Sequence, residues 1–236
     1  KLIRQTNVPI LHSKKIYLTK SNTWNNDGKL LYGKRFGHII NKNNKHFRFK
    51  SLFNSKKLND FLNLFHSRSI HFNNGIQTRN KKRIWNYRYL AKEGLGWIHL
   101  RFPFMDYDSP DEPVKCPNNS FHLDGLLKNN NIDYKQSIII LPFITTVKKN
   151  EGGTAIIPGS HKLINDYILR YNYRTDKDVD QIIDKILLKN KRKIIDITGE
   201  QGDILILHPH LIHSSSYSDK KSLKVRITFN LSTEIK

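Results

Sequence analysis

Ser137-Ile138-Ile139-Ile140-Leu141-Pro142-Phe143 and Thr154-Ala155-Ile156-Ile157-Pro158 are short apolar runs broken by proline, and both read as buried strands. Before them, Gly96-Trp97-Ile98-His99-Leu100-Arg101-Phe102-Pro103 alternates like a strand that ends at its proline, and Met105 to Asn119 reads as a loop rich in Asp and Pro. After them, strand-like segments return at Lys193 to Ile197, Asp203 to Leu207 and Leu223 to Leu231. Two amphipathic helices flank these strands. Leu58, Phe61, Leu62 and Phe65 recur at helical spacing behind Ser55 as N-cap, and Asp178 to Leu188 carries Val179, Ile182, Ile183, Ile186 and Leu187. Many short strands with Gly and Pro turns predict an all-β core with helices packed outside it. We expect a single domain over residues 1–236: a helix-containing lead (1–90) and a β core (91–236) with a helical insertion near 161–193.

Hydrophobic residues make up 37% of the 236, a low share, but 12 Phe and 10 Tyr suffice for a core, so the composition is that of a folded domain. The formal net charge of +21 favours an anionic partner such as nucleic acid, a membrane surface or a phosphorylated substrate. A bias towards A/T-rich codons, which encode Lys, Asn and Ile, produces the same composition without selection for binding. The single cysteine, Cys116, excludes an intramolecular disulfide. No apolar run approaches the roughly 18–20 residues that span a bilayer, and Lys1 to Leu11 lacks a signal-peptide core. These features point to an intracellular setting.

The chemistry starts at Phe121-His122-Leu123-Asp124-Gly125. On a strand, residues i and i+2 face the same way, so His122 and Asp124 can reach one metal ion. An imidazole and a carboxylate are two of the three ligands of the 2-His-1-carboxylate facial triad of non-haem Fe(II) oxygenases. His208, His210 and His213 all compete for the third place, and periodicity does not choose among them. Arg226, in the alternating run Lys224-Val225-Arg226-Ile227-Thr228-Phe229, is a candidate partner for a dicarboxylate, since a guanidinium binds a carboxylate in a fork.

Four segments together resemble the phytanoyl-CoA dioxygenase-like family of Fe(II)/2-oxoglutarate-dependent oxygenases. They are Phe121 to Gly125; Glu151-Gly152-Gly153-Thr154-Ala155-Ile156-Ile157-Pro158-Gly159-Ser160-His161; Gly199-Glu200-Gln201-Gly202-Asp203-Ile204-Leu205; and His208-Pro209-His210-Leu211-Ile212-His213-Ser214-Ser215 followed by Arg226. The resemblance covers roughly Gly96 to Leu231. It implies a double-stranded β-helix (a jelly roll, cupin-like) with flanking α-helices. It also implies Fe(II) on His122, Asp124 and His213, with 2-oxoglutarate held by Arg226 and Ser215. The reaction it implies uses O2 to hydroxylate a small organic substrate while 2-oxoglutarate is decarboxylated to succinate and CO2. The carboxylate at Asp124 argues for hydroxylation, because related halogenases carry a small residue there.

Two other readings stay open at this stage. One is a nucleic-acid-modifying oxygenase with the same iron chemistry, favoured by the charge. The other is a non-catalytic binding protein of the same fold. The roles of His99, Arg101 and His161 are undecided: His99 and Arg101 share strand parity, and His161 stands where it would brace the turn after Pro158. Gly152-Gly153 reads as a turn and not a phosphate loop.

Overall fold

The computed structural model describes residues 20–24, 97–109, 111–124, 136–171, 176–190 and 193–235, with short pieces at 35–36, 56–57, 60, 71–73, 76–78 and 85–87. In chain order its strands are β1 (Arg35–Phe36), β2 (His71–Asn73), β3 (Ile76–Thr78), β4 (Trp85–Tyr87), β5 (Trp97–Arg101), β6 (Pro103–Met105), β7 (Gln136–Pro142) and β8 (Thr154–Ile156). Two helices follow, α1 (Ser160–Tyr171) and α2 (Asp176–Asn190). The chain then forms β9 (Ile195–Ile197), β10 (Ile204–Leu207), β11 (His213–Ser215), β12 (Ser218–Asp219) and β13 (Arg226–Ile235).

The large sheet runs β1-β5-β13-β7-β10, with β4 also paired to β13, and the small sheet runs β11-β8-β9. The protein is therefore mainly β with helices set between strands, and no sheet closes on itself among the described residues. The two expected buried runs are strands. Ile139 and Ile140 of β7 are fully buried, as is Ala155 of β8. One core cluster joins Ile139 and Leu141 to Leu207 and Leu211, along the antiparallel β7–β10 ladder.

The insertion contains two helices. In α2 the apolar stripe Val179, Ile182, Ile183 and Ile186 is buried and meets Ile164 of α1, Ile157, Leu123 and Ile212. Burying each of these side chains contributes about 1.5–3 kcal/mol before conformational entropy is charged against it. The cluster matters for the site because Leu123 and Ile212 are chain neighbours of His122, Asp124 and His213.

Several expectations shift. Pro103 opens β6, which pairs in parallel with β12, and the preceding strand ends at Arg101. A proline lacks an N–H and is tolerated as the first residue of an edge strand. The last strand begins at Arg226, three residues after an exposed Leu223, and runs on to Ile235. His122 lies on an isolated bridge and not within a strand. Lys56, Lys57 and Asp60 are helical, while the stripe Leu58, Phe61, Leu62 and Phe65 falls outside the described residues. Among the described residues, no helix is long and apolar enough to cross a membrane.

Candidate metal centre

The turn at Asn119, with φ of 53°, delivers the chain to His122, which then meets His213 backbone to backbone. The His122 N–H donates to the His213 carbonyl at 2.9 Å, and the His213 N–H donates back at 3.2 Å. Residues that exchange both bonds stand directly opposite with side chains on one face, and the two imidazole centroids are 4.4 Å apart. The Asp124 N–H donates to the Pro209 carbonyl at 3.2 Å, which turns the carboxylate towards both rings. Asp124 Oδ1 is 3.6 Å from His122 Nε2, and Oδ2 is 3.8 Å from His213 Nε2.

Both rings are oriented from behind. His122 Nδ1 donates to the Ser120 carbonyl at 2.7 Å, and His213 Nδ1 donates to the Leu211 carbonyl at 2.9 Å. A neutral imidazole whose Nδ1 carries the hydrogen has its lone pair on Nε2, so both lone pairs face Asp124. Carbonyl partners of this kind orient metal-binding histidines. Two ligands at right angles on an ion about 2.1 Å away are about 3 Å apart, so the two histidine–carboxylate separations need to close by less than 1 Å. The donor set of two neutral imidazoles and one carboxylate on a single side therefore fits Fe(II) with open positions. His213 and Asp124 are the better-covered donors, with side-chain exposures of 7% and 23%, while His122 is 41% exposed, which places the opening on its side. Among the described residues, His122, Asp124 and His213 are the one group of His, Cys, Asp or Glu donors close enough to share an ion, all within 4.8 Å of one another.

Arg226 and Ser215 lie on different sheets, and the structure gives each a neighbour that the sequence reading left out or undecided. Arg226 is buried on β13 and donates from Nη2 to Thr154 Oγ1 at 3.2 Å. Ser215 accepts a short hydrogen bond from Nη2 of the buried Arg101. Gly152, with φ of +77°, lies where an added Cβ would be 3.1 Å from Arg101 Cβ, so this glycine lets the backbone before β8 lie against the arginine stem. Thr228, on the same face of β13 as Arg226, is fully buried, and its Oγ1 has no hydrogen-bond partner. The strand parity of Arg101 was the available signal; nothing local marked Thr154.

The remaining candidates separate from this site. His161, His208 and His210 pack on one another, with ring centroids 5.2 Å apart for the first pair and 5.3 Å for the second. Burial, assisted by His161, pushes His210 down to about 4. The brace after Pro158 is Ser160, whose Oγ accepts from the Ile212 N–H at 2.9 Å, and not His161. On the other face of the small sheet, burial pushes Asp196 up to about 6 against the pull of Ser216 and Arg226. Burial likewise pushes the Cys116 thiol up to about 12, so it stays protonated at neutral pH.

A family model described as phytanoyl-CoA dioxygenase matches residues 43–223. No curated protein matches the chain. Among solved structures, EvdMO1 is similar at 18% identity and a TM-score of 0.37, over 58% of this chain and 26% of that one. AviO1 from Streptomyces viridochromogenes Tue57 is similar at 16% identity and 0.37, over 58% and 48%. SnoK, a non-haem alpha-ketoglutarate-dependent carbocyclase from nogalamycin biosynthesis, is similar at 16% and 0.37, over 59% and 47%. The match thus spans a quarter to a half of the length of these proteins.

Proposed function

This chain belongs to the phytanoyl-CoA dioxygenase family, and from that premise we propose that it is an Fe(II)/2-oxoglutarate-dependent dioxygenase that hydroxylates a small organic substrate. The observation that carries the reading is the convergence of His122, Asp124 and His213, with both histidine Nε2 lone pairs facing one carboxylate.

In this reading His122, Asp124 and His213 hold the metal, and Arg226 with Ser215 holds the far carboxylate of 2-oxoglutarate. The family uses Fe(II), 2-oxoglutarate and O2; the bound set supplies the oxidising power, with 2-oxoglutarate leaving as succinate and CO2. The protein's share is orientation, charge and exclusion of water. The Ser120 and Leu211 carbonyls fix the imidazoles, and the buried strands keep the carboxylate end dry. Residues 91–236 are read as a double-stranded β-helix core, supported by the bonds Arg101–Ser215 and Arg226–Thr154, which tie the large sheet to the small one. The insertion near 161–193 covers the metal end.

The test is succinate formation from 2-oxoglutarate in the presence of Fe(II) and O2, measured with and without a panel of small organic candidates. Turnover should be slow and uncoupled without a substrate, faster with one, and absent in Asp124→Ala. Equal succinate formation by wild type and Asp124→Ala overturns the reading.

A further inference from the structure

We propose that the end of the small sheet farthest from the metal centre carries a second ligand site, a cavity that takes a small organic diamine. This site stands whether or not the oxygenase reading does.

Three segments build it. Asp219 of β12 pairs with Met105 of β6, the Asp219 N–H donates to the Asn150 carbonyl at 2.7 Å, and Glu151 bridges to Ser218. These bonds gather the three segments around a cavity of about 380 Å³. Pockets for small molecules begin at about 300 Å³. The cavity and the metal centre lie at opposite ends of one ladder. His213 stands opposite Ile156, Ser215 opposite Thr154, and Ser218 opposite Glu151. The five residues of extended chain from His213 to Ser218 span roughly 16 Å.

The chain has 41 Lys and Arg against 20 Asp and Glu, so a carboxylate without a cation partner needs an explanation. Asp108, Glu151 and Asp219 all line this cavity, and among the described residues none of the three forms an ion pair. The two lysines of the lining are engaged elsewhere, Lys149 with Asp111 at 3.8 Å and Lys221 with the Tyr107 carbonyl at 3.5 Å. Asn150 is an independent sign. It lines the cavity, it is 7% exposed, and its Oδ1 has no hydrogen-bond partner. A covered amide oxygen without a donor is costly, and an N–H brought into the cavity relieves that cost.

The ligand class follows from the spacing. The three carboxylates are not all within 4.8 Å of one another, as the donors of the metal centre are, so no single ion takes all three. A molecule with an ammonium group at each end of a short chain reaches separated carboxylates, and each ammonium brings three donors. The net charge of +21 repels such a molecule from the rest of the surface, which confines its binding to this acidic cavity.

The experiment is calorimetric titration with putrescine and separately with 4-aminobutanoate, which is of similar length but ends in a carboxylate in place of one ammonium. Putrescine should bind, and 4-aminobutanoate should bind about 10-fold more weakly or worse. The double variant Glu151→Gln with Asp219→Asn should weaken putrescine binding by about 10-fold. Asn150→Gly, at a φ of 62° that glycine accepts, should weaken it by about 3- to 10-fold. Asp108→Asn, at an exposed position, should weaken it by about 2- to 5-fold. Mn(II) binding at the candidate metal centre should not change in any of them. Circular dichroism melts establish that each variant is folded, and Asp108→Asn carries the test if the double variant is not. Wild type that gives no heat with putrescine removes the site. Putrescine binding that survives the double variant unchanged lies elsewhere and contradicts the proposal as well. Equal affinity for 4-aminobutanoate shows that the lysines recognise an anion, which overturns the diamine assignment. Mg(II) binding tighter than putrescine and lost in the double variant makes this a metal site and overturns it too.

Discussion

His122 and His213 turn Nδ1 to backbone carbonyls, whereas His208, five residues before His213, turns Nδ1 to a backbone N–H, that of His210 at 3.0 Å. The difference fixes which nitrogen keeps a lone pair. In the first pair the lone pair stands on Nε2, the atom that faces Asp124. In His208 the accepting Nδ1 leaves the hydrogen on Nε2, which makes that atom a donor. His210 is occupied differently, with Nδ1 2.6 Å from Asn165 Oδ1. The turn carrying His208 and His210 serves the candidate metal site through its backbone, because the Pro209 carbonyl receives the Asp124 N–H. His208 is thus set apart from His213 by its backbone partner, and His210 by its place between His208 and Asn165, outside the group that meets at Asp124.

The sharpest way to break this contrast is to remove one imidazole from each group. His213→Ala should weaken Fe(II) or Mn(II) binding by about 100-fold or more, since losing a group that only orients a ligand costs about 10–100-fold. His208→Ala and His210→Ala should stay close to wild type. Calorimetry reads this directly, and iron loss in His210→Ala with His213→Ala unaffected would invert the assignment.

A smaller effect tests the shared support. Ile183 packs in the cluster that contains Leu123 and Ile212. Ile183→Ala should lower stability by about 2–4 kcal/mol, as truncations of buried isoleucine do. Denaturant melts measure that loss, and the melting of apo and metal-loaded protein should both shift.

The smallest effect concerns acid. His210 has its folded pKa lowered to about 4 by burial, from an ordinary 6.5. Its contribution is full above pH 6.5, and it is lost as pH falls from 6.5 through 4, by up to about 3 kcal/mol. His210→Asn should flatten the pH dependence of stability in that window. An unchanged slope would show that the packed group does not titrate this way.

Much of the architecture was legible because its signals are local. Apolar runs such as Ser137 to Phe143 have strand length, and Val179, Ile182, Ile183 and Ile186 repeat at helical spacing. Helix α1 was harder to see, because it starts directly after Pro158-Gly159 and its fully buried apolar contact is Ile164. His122 and Asp124 were readable as a pair, but the choice of His213 over His208 and His210 rested on resemblance, because it turns on the backbone bridge of His213 to His122 and its ring's bond to the Leu211 carbonyl. The partnership of Arg101 with Ser215 spans 114 residues of chain. Such contacts are set by sheet register, which no local pattern reports.

The most direct test of the central claim is anaerobic titration of the apoprotein with Fe(II) and then 2-oxoglutarate, following the weak visible charge-transfer band of the chelate. The band should appear in wild type and be absent in Asp124→Ala. Iron bound without the band, or no iron bound at all, would contradict the oxygenase reading.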